Sequence, residues 1–263
     1  MSRIAQAFQN KKAFIAFITG GDPDLETTEE LICAMDQAGA DLIEIGVPFS
    51  DPTAEGIVIQ EANARALAAG CTTDKLFEMV SRVRRRTQIP LVFLTYMNPI
   101  YTYGKERFFR QCRTAGIDGV IIPDLPFEEK EEVAPICAEY GVDLVPLIAP
   151  TSKERITMIA KEAKGFIYCV SSLGVTGVRS EIRTDIGAMV RLVKSVTDLP
   201  CAVGFGISTP EQAAKMAAVS DGAIVGSAIV KLVAKDGKDC VEAVSEYVRS
   251  MKEAIAGLDD FTS

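Results

Sequence analysis

The chain has 263 residues, of which 48% are hydrophobic and 24% are charged, and its net charge is −8 at pH 7. This composition is typical of a globular protein with a large core, and the acidic balance excludes the cationic footprint that nucleic-acid binding needs. We interpret Arg82 and the basic run 84–86 as the solvated end of a helix. Histidine is absent, so any acid–base chemistry must come from other side chains.

The ends and the cysteines of the chain indicate its cellular setting. The N-terminal segment has no apolar signal region, and no stretch approaches 18 uninterrupted apolar residues. The chain has seven cysteines, an odd number that cannot all form pairs, and it has no CxxC motif. We therefore predict free, buried thiols rather than disulfides. We therefore expect a cytoplasmic protein that does not cross a membrane.

Short segments rich in strand-forming residues alternate along the chain with amphipathic helical stretches. The predicted strands are 13–19, 41–47, 90–96, 119–123, 143–148, 166–170, 201–205 and 222–225. The predicted helices are 25–38, 58–69, 73–86, 104–115, 127–140, 152–163, 184–197, 210–218 and 239–255. Several of these helices begin at a capping residue, as at Thr72, Ser152 and Thr209.

Eight strands alternating with helices predict a single α/β domain over residues 1–263, folded as a (β/α)₈ TIM barrel. We expect an extra N-terminal helix and enlarged loops after the second and sixth strands, at 48–57 and 171–183. A doubly wound open sheet is the alternative, but it typically carries a glycine-rich phosphate loop after its first strand. Here that strand is followed by Gly-Gly-Asp-Pro at 20–23, which is typical of a turn.

Glu44 is the unusual residue of the second predicted strand. Because side chains alternate along a barrel strand, Ile43, Ile45 and Val47 would face the helices and Glu44 would face the interior. A buried carboxyl without a partner has a raised pKa, which suits a general acid or base. An ion pair is the structural alternative, yet none of the predicted strands contains lysine or arginine. The same absence argues against a Schiff-base lysine.

Glycines follow the last two predicted strands, at Gly204, Gly206 and Gly226, with Ser227 next to the last of them. Loops after the seventh and eighth strands are a common phosphate site in barrels, and a short helix after the eighth strand would add N–H donors. The alternative is that these glycines only allow tight turns. The composition of 171–183 fits either a closing lid or a passive surface loop.

Six segments of the sequence, taken together, identify a family resemblance. They are LIEIGVPFSDP, NPIYTYG, GVIIPDLPFEE, SSLGVTG, VGFGIS and VGSAIV. With these motifs the chain resembles the tryptophan synthase α chain along nearly its whole length. The resemblance implies a lyase that cleaves indole-3-glycerol phosphate to indole and glyceraldehyde 3-phosphate by a retro-aldol reaction, with no metal or cofactor in this chain.

The resemblance also implies a partner and a set of site residues. The partner is a β chain that uses pyridoxal phosphate to join indole to serine, in a heterotetramer of two α and two β chains. Glu44 matches the catalytic glutamate, and Glu55 stands where the family usually has a catalytic aspartate. The residues that match the substrate site are Phe17, Tyr96, Tyr168, Thr176, Gly177, Gly204, Gly206, Gly226 and Ser227.

The loop that follows the second strand departs from the family pattern. Glu55 is one methylene longer than aspartate, Ile57 replaces a proline, and Thr53 replaces an apolar residue. The changes at Glu55 and Ile57 make it possible that the chain is weakly active and mainly activates the β chain. Two further alternatives are a stand-alone lyase of the same family and another phosphate-binding barrel.

Overall fold

The protein is described here by a computed structural model that covers residues 2–170, 185–204 and 206–257. Within these ranges one sheet of nine parallel strands has the order β5-β4-β3-β2-β1-β9-β8-β7-β6. The strands are β1 (Ala13–Thr19), β2 (Leu42–Gly46), β3 (Leu91–Leu94), β4 (Gly119–Ile121), β5 (Asp143–Leu144), β6 (Leu147–Ile148), β7 (Ile167–Val170), β8 (Cys201–Gly204) and β9 (Gly222–Val225).

The outermost strands of this sheet, β5 and β6, are the two halves of the predicted strand 143–148. Proline at position 146 has no N–H to donate, which divides the strand. Its carbonyl nevertheless accepts from the N–H of Tyr168 at 3.0 Å, and the N–H of Val145 donates to the carbonyl of Val120 at 2.9 Å. The segment therefore bonds to β4 on one side and to β7 on the other, and closes the predicted eight-stranded barrel.

Helices surround the barrel, as the sequence predicts. They are α1 (Arg3–Ala7), α2 (Leu25–Gln37), α3 (Ile57–Ala68), α4 (Thr73–Val83), α5 (Met97–Tyr103), α6 (Lys105–Ala115), α7 (Ala134–Tyr140), α8 (Lys153–Lys161), α9 (Ile186–Lys194), α10 (Pro210–Ala218), α11 (Ser227–Asp236) and α12 (Val241–Ala256). Short 3₁₀ helices occupy Phe127–Glu132 and Gly237–Asp239. The predicted helix 127–140 is thus divided just before Pro135, and α5 was not predicted. None of the helices in the described ranges has the length and apolarity needed to cross a bilayer.

The strands separate two apolar clusters. The larger cluster lies between the sheet and the helices and includes Ile43, Ile45 and Val47 of the second strand region. The smaller cluster fills the barrel and includes Leu42 of the same strand. The predicted alternation of β2 is therefore confirmed. Helix α1 closes the lower end of the barrel, because Ile4 belongs to the interior cluster. All seven cysteines are free and buried, as predicted.

Aspartates at the N-terminal face of the barrel tie neighbouring strands together. Asp41, Asp118 and Asp221 lie just before β2, β4 and β9, and each accepts a backbone N–H from the beginning of the neighbouring strand that comes earlier in the chain, at 2.8, 2.9 and 2.8 Å. The donors are Phe14, Leu91 and Cys201, respectively. Each carboxylate also pairs with at least one cation, so charge and backbone bonds stabilise the same end of the barrel.

Arg84 corrects the interpretation of the basic run as a solvated helix end. Its side chain is only 10% exposed and pairs with Asp118 at 2.7 Å. It also donates to the carbonyls of Gly116 and Ile89, at 2.8 and 2.5 Å. Burial lowers the pKa of Arg84 to about 10, although the nearby carboxylate opposes this change. Arg84 therefore stabilises the N-terminal end of the barrel and does not face solvent.

Asp118→Asn should lower the free energy of unfolding by about 3 kcal/mol, because it leaves the largely buried Arg84 without its counter-charge. The matched control is Asp74→Asn, which breaks an exposed pair with Arg107 and should cost less than about 1 kcal/mol. Urea unfolding of the three proteins measures both effects. Equal losses in the two variants would contradict a structural role for the buried pair.

Candidate active site

Glu44 lies inside the barrel near the C-terminal end of β2. Its strand neighbours in register are Phe17 on β1 and Val92 on β3. The residue is 1% exposed, and its Oε1 atom has no hydrogen-bond partner among the described residues. Burial alone raises the pKa of Glu44 to about 8. The carboxyl is therefore mainly protonated at neutral pH and can donate a proton, as the sequence predicts.

Tyr168 faces Glu44 from β7. Its hydroxyl is buried, and burial raises the pKa of Tyr168, with a further contribution from Glu44. The hydroxyl occupies the space beside Gly204, where an added Cβ would lie 2.5 Å from the hydroxyl oxygen. The glycine predicted for the phosphate cradle thus has a second reason to lack a side chain, which is to admit this tyrosine.

Phe17 is held between two glycines at the barrel mouth. A Cβ added at Gly46 would lie 2.8 Å from its ring, and one added at Gly226 would lie 3.2 Å from it. Phe17 also packs with Ile59 of α3 and Val230 of α11. The aromatic ring therefore links the end of the barrel to the two helices that cover it.

Two of the residues predicted to bind phosphate, Gly226 and Ser227, lie at the beginning of α11. Gly226 is the N-cap and makes no side-chain cap bond, and the helix begins at Ser227. The first N–H groups of a helix have no partner within the helix and carry partial positive charge, which suits an anion. In the neighbouring loop, Gly206 has a φ of +83°, a conformation that favours glycine. Tyr247 steadies this loop by donating to the carbonyl of Ser208 at 3.0 Å.

Glu55 lies in the enlarged loop between β2 and α3, and it is buried. The amide of Asn63 donates to its Oε2 at 2.7 Å, and Gln60 donates to its backbone carbonyl at 2.7 Å. The Tyr96 hydroxyl also bonds to the carboxylate and accepts the N–H of Ala54 at 3.2 Å. Burial raises the pKa of Glu55, whereas the bonds from Asn63 and Tyr96 oppose that rise.

Asn63 is the site residue that the sequence analysis missed. The buried residues of α3 are Ile59, Ala62, Asn63 and Ala66, which form one stripe at helical spacing. A single amide in an otherwise apolar stripe is the signal that would have identified it. A buried amide needs a partner, and that partner is Glu55.

The other expectations divide into two groups. The structure brings Glu44 and Tyr168 together inside the barrel, with Phe17 next to Glu44 in register on β1, and it brings Glu55 together with Tyr96 at the mouth. The predicted residues Thr176 and Gly177, with the predicted lid 171–183, lie outside the described residues. On the surface of the same end of the barrel, Ile57 is 69% exposed and Tyr101 is 53% exposed.

A parallel barrel with a buried carboxyl inside it, a second carboxyl at its mouth and the N-terminus of a helix beside them is typical of a barrel enzyme that uses acid–base catalysis. The family model of the tryptophan synthase alpha chain matches residues 4–256. The chain belongs to the tryptophan synthase alpha chain family.

Individual relatives and solved structures agree with this assignment. The alpha chain of Lacticaseibacillus casei is 48% identical over 97% of this chain and 96% of its own. That of Caldanaerobacter subterraneus subsp. tengcongensis is 48% identical over 97% of this chain and 100% of its own. The crystal structure of the alpha chain from Legionella pneumophila has a TM-score of 0.88 and 36% identity, and covers 100% of this chain and 99% of that one. A structure of the tryptophan synthase a2b2 complex from Pyrococcus furiosus has a TM-score of 0.85 and 35% identity, and the match covers 92% of this chain and 99% of that one.

Glu44→Gln should stabilise the fold by an amount that grows with pH. The native state holds the Glu44 proton up to about pH 8, whereas the unfolded state releases it near 4.5. The free energy of unfolding of the wild-type chain therefore falls as the pH rises between these values, whereas that of the Glu44→Gln variant does not. At 1.36 kcal/mol per pH unit, the variant should gain up to about 5 kcal/mol above pH 8.

Chemical denaturation of both proteins at pH 5.5, 7 and 8.5 measures the difference in their free energies of unfolding. The exposed Glu61→Gln variant is the control, and its difference from the wild type should stay close to zero. A difference in unfolding free energy between Glu44→Gln and the wild type that does not change with pH would show that burial does not keep the carboxyl protonated.

Proposed function

We propose that this chain is the alpha subunit of tryptophan synthase and cleaves indole-3-glycerol phosphate to indole and glyceraldehyde 3-phosphate. Membership of the family supports this function. The observation that carries it is the buried Glu44, whose pKa of about 8 keeps a proton available inside the barrel at neutral pH. A lyase reaction of this kind needs such a donor, because carbon 3 of the indole must be protonated before it can leave.

Glu44 alone can carry out both proton transfers of the reaction, because it donates one proton and recovers one. Glu44 donates its proton to carbon 3 of the indole ring, which makes the ring cationic. The bond between carbon 3 and the glycerol carbon then breaks, and its electron pair returns to the ring. The hydroxyl on that glycerol carbon loses its proton to the Glu44 carboxylate and becomes the aldehyde. The desolvated carboxylate is a strong base, so it recovers the proton readily.

Glu55 would accept the indole N–H. Protonation at carbon 3 leaves positive charge on the ring nitrogen, and an anionic carboxylate beside it stabilises that charge as it develops. Burial raises the pKa of Glu55, but the bonds from Asn63 and Tyr96 oppose that rise and stabilise the anionic form. One carboxyl would thus work in the neutral form and the other as the anion.

The substrate would lie across the mouth of the barrel. We place its phosphate at the beginning of α11, with Gly204, Gly206, Gly226 and Ser227 as the cradle. The aromatic rings of Phe17, Tyr96 and Tyr168 would surround the indole. Thr176 and Gly177 are assigned to the site by the family resemblance. The whole reaction would be carried by one domain over residues 1–263.

A β chain is the proposed partner. The Pyrococcus furiosus relative is a tryptophan synthase a2b2 complex, which supports the same assembly of two α and two β chains here. The exposed Ile57, Thr53 and Tyr101 lie on the loop and helix at the mouth of the barrel and would meet that partner. The β chain would hold the pyridoxal phosphate and receive the indole. This biosynthetic role, with the seven free cysteines, supports a cytoplasmic location.

Indole release from indole-3-glycerol phosphate, with and without the β chain, tests the function. The wild-type chain should release indole, and Glu44→Gln should lower kcat by about 1,000-fold with little change in KM, because it removes the proton donor. Glu61→Gln, on the exposed face of α3, is the control and should keep full activity. A wild-type chain that activates the β chain but releases no indole would show the weakly active alternative instead.

Ile57→Asp should weaken the complex with the β chain by at least about tenfold in Kd, because it places a charge at an exposed apolar position of the proposed interface. Leu67→Asp is the matched control, since Leu67 is exposed on the same helix toward its other end. The titration of β-chain activity with each variant gives the Kd. Equal losses from the two variants would place the interface elsewhere.

A further inference from the structure

The amide of Asn63 lies on the buried stripe of α3 and points to the acidic loop that precedes the helix. Asparagine is a poorer helix former than alanine or leucine, and a buried amide is unfavourable unless it is hydrogen-bonded. An apolar residue at this position would serve helix packing better. The bond of 2.7 Å to Oε2 of Glu55 is the contact that explains the asparagine.

The same helix holds Glu55 at two places. Gln60, in the first turn of α3, donates to the backbone carbonyl of Glu55, and Asn63, in the second turn, donates to its carboxylate. Tyr96 adds a bond to the carboxylate from the end of β3. Two neutral donors on separate elements therefore fix a long, flexible side chain that would otherwise sample several rotamers.

We propose that Asn63 is a positioning residue for the lyase reaction, whose amide holds the Glu55 carboxylate in the geometry that accepts the indole N–H. This inference rests on the proposed function and extends it to a residue that does not itself touch the substrate. It also gives a reason why glutamate functions at position 55. The extra methylene moves the carboxylate by about 1.5 Å, and Asn63 fixes it at that longer reach.

Among the described residues, no lysine or arginine forms an ion pair with the Glu55 carboxylate that could replace the bond from Asn63. Arg65, on the same helix, is bound through two hydrogen bonds of 2.8 Å to Asp22. The other ionisable groups on the elements packed around Glu55 include Asp51 on its loop, Glu61 on α3, Tyr96 and Asp124 beyond β3 and β4, and Lys231, Lys235 and Asp236 on α11. None of these forms an ion pair with Glu55. The charge state of Glu55 therefore depends on its neutral donors and on its burial.

Asn63→Leu tests the donor directly, because leucine has a similar volume and no polar atom. Loss of the bond should raise the pKa of Glu55, so the acid limb of the kcat profile should move up by about one pH unit. At pH 7, kcat should fall by about 10- to 100-fold, with a smaller change in KM and partial recovery at higher pH. Glu61→Gln, exposed on the same helix, is the control and should keep the wild-type profile.

A length exchange provides the second test. Glu55→Asp withdraws the carboxylate from Asn63, and Asn63→Gln extends the amide too far for the longer acid. Combining the two changes restores the total length of the bonded pair. The double variant should therefore have at least about fivefold higher kcat than the product of the two single effects predicts. Strictly multiplicative effects would overturn the proposed contact.

Carbon-13 NMR of the Glu55 carboxyl gives a readout that does not depend on turnover. Its titration should move to higher pH in Asn63→Leu, and an unchanged titration would overturn the proposal. A wild-type rate in Asn63→Leu, or a kcat lowered equally at every pH, would also overturn the positioning role while the proposed function stands. An inactive wild-type chain in the presence of the β chain would overturn the proposed function and this role together.

Discussion

The burial of the Glu44 carboxyl without a counter-charge is the constraint on which the site depends. Strand β2 places this side chain inside the barrel, where the described residues offer neither a cation nor a hydrogen bond to its Oε1. Ionisation there is costly, so the fold tolerates the residue by keeping its proton. The packing that excludes water from the barrel therefore also keeps the proposed acid protonated. Phe17 over Gly46 and Tyr168 beside Gly204 belong to that packing.

Burial raises the pKa of the second carboxyl as well, but there hydrogen bonds oppose the rise. Glu55 is also buried, but Asn63 and Tyr96 donate hydrogen bonds that favour its anion. In the proposed mechanism, environment rather than residue type separates the two glutamates into different roles at one end of the barrel. The separation is stable because each environment is built from rigid elements, a barrel strand for Glu44 and helix α3 for Glu55.

The fold was predictable where local pattern decides it, and the site only in part. The direction of Glu44 follows from simple alternation along β2, which is why it could be read from the sequence. The role of Arg84 could not, because its partner Asp118 lies 34 positions away. Likewise, the roles of Gly204 and Gly226 in admitting aromatic rings depend on contacts across the barrel. Local spacing carries no information about such distant pairs.

The protonation state of Glu44 at neutral pH is the measurement that tests this account most directly. Isotope-edited infrared spectroscopy of glutamate-labelled protein, with Glu44→Gln subtracted, isolates the carbonyl band of this one side chain. The account predicts a protonated carboxyl at pH 6 to 7 that converts to carboxylate as the pH rises through about 8. A carboxylate band already present at pH 6 would contradict it, because the barrel would then hold a charged glutamate that cannot serve as the acid.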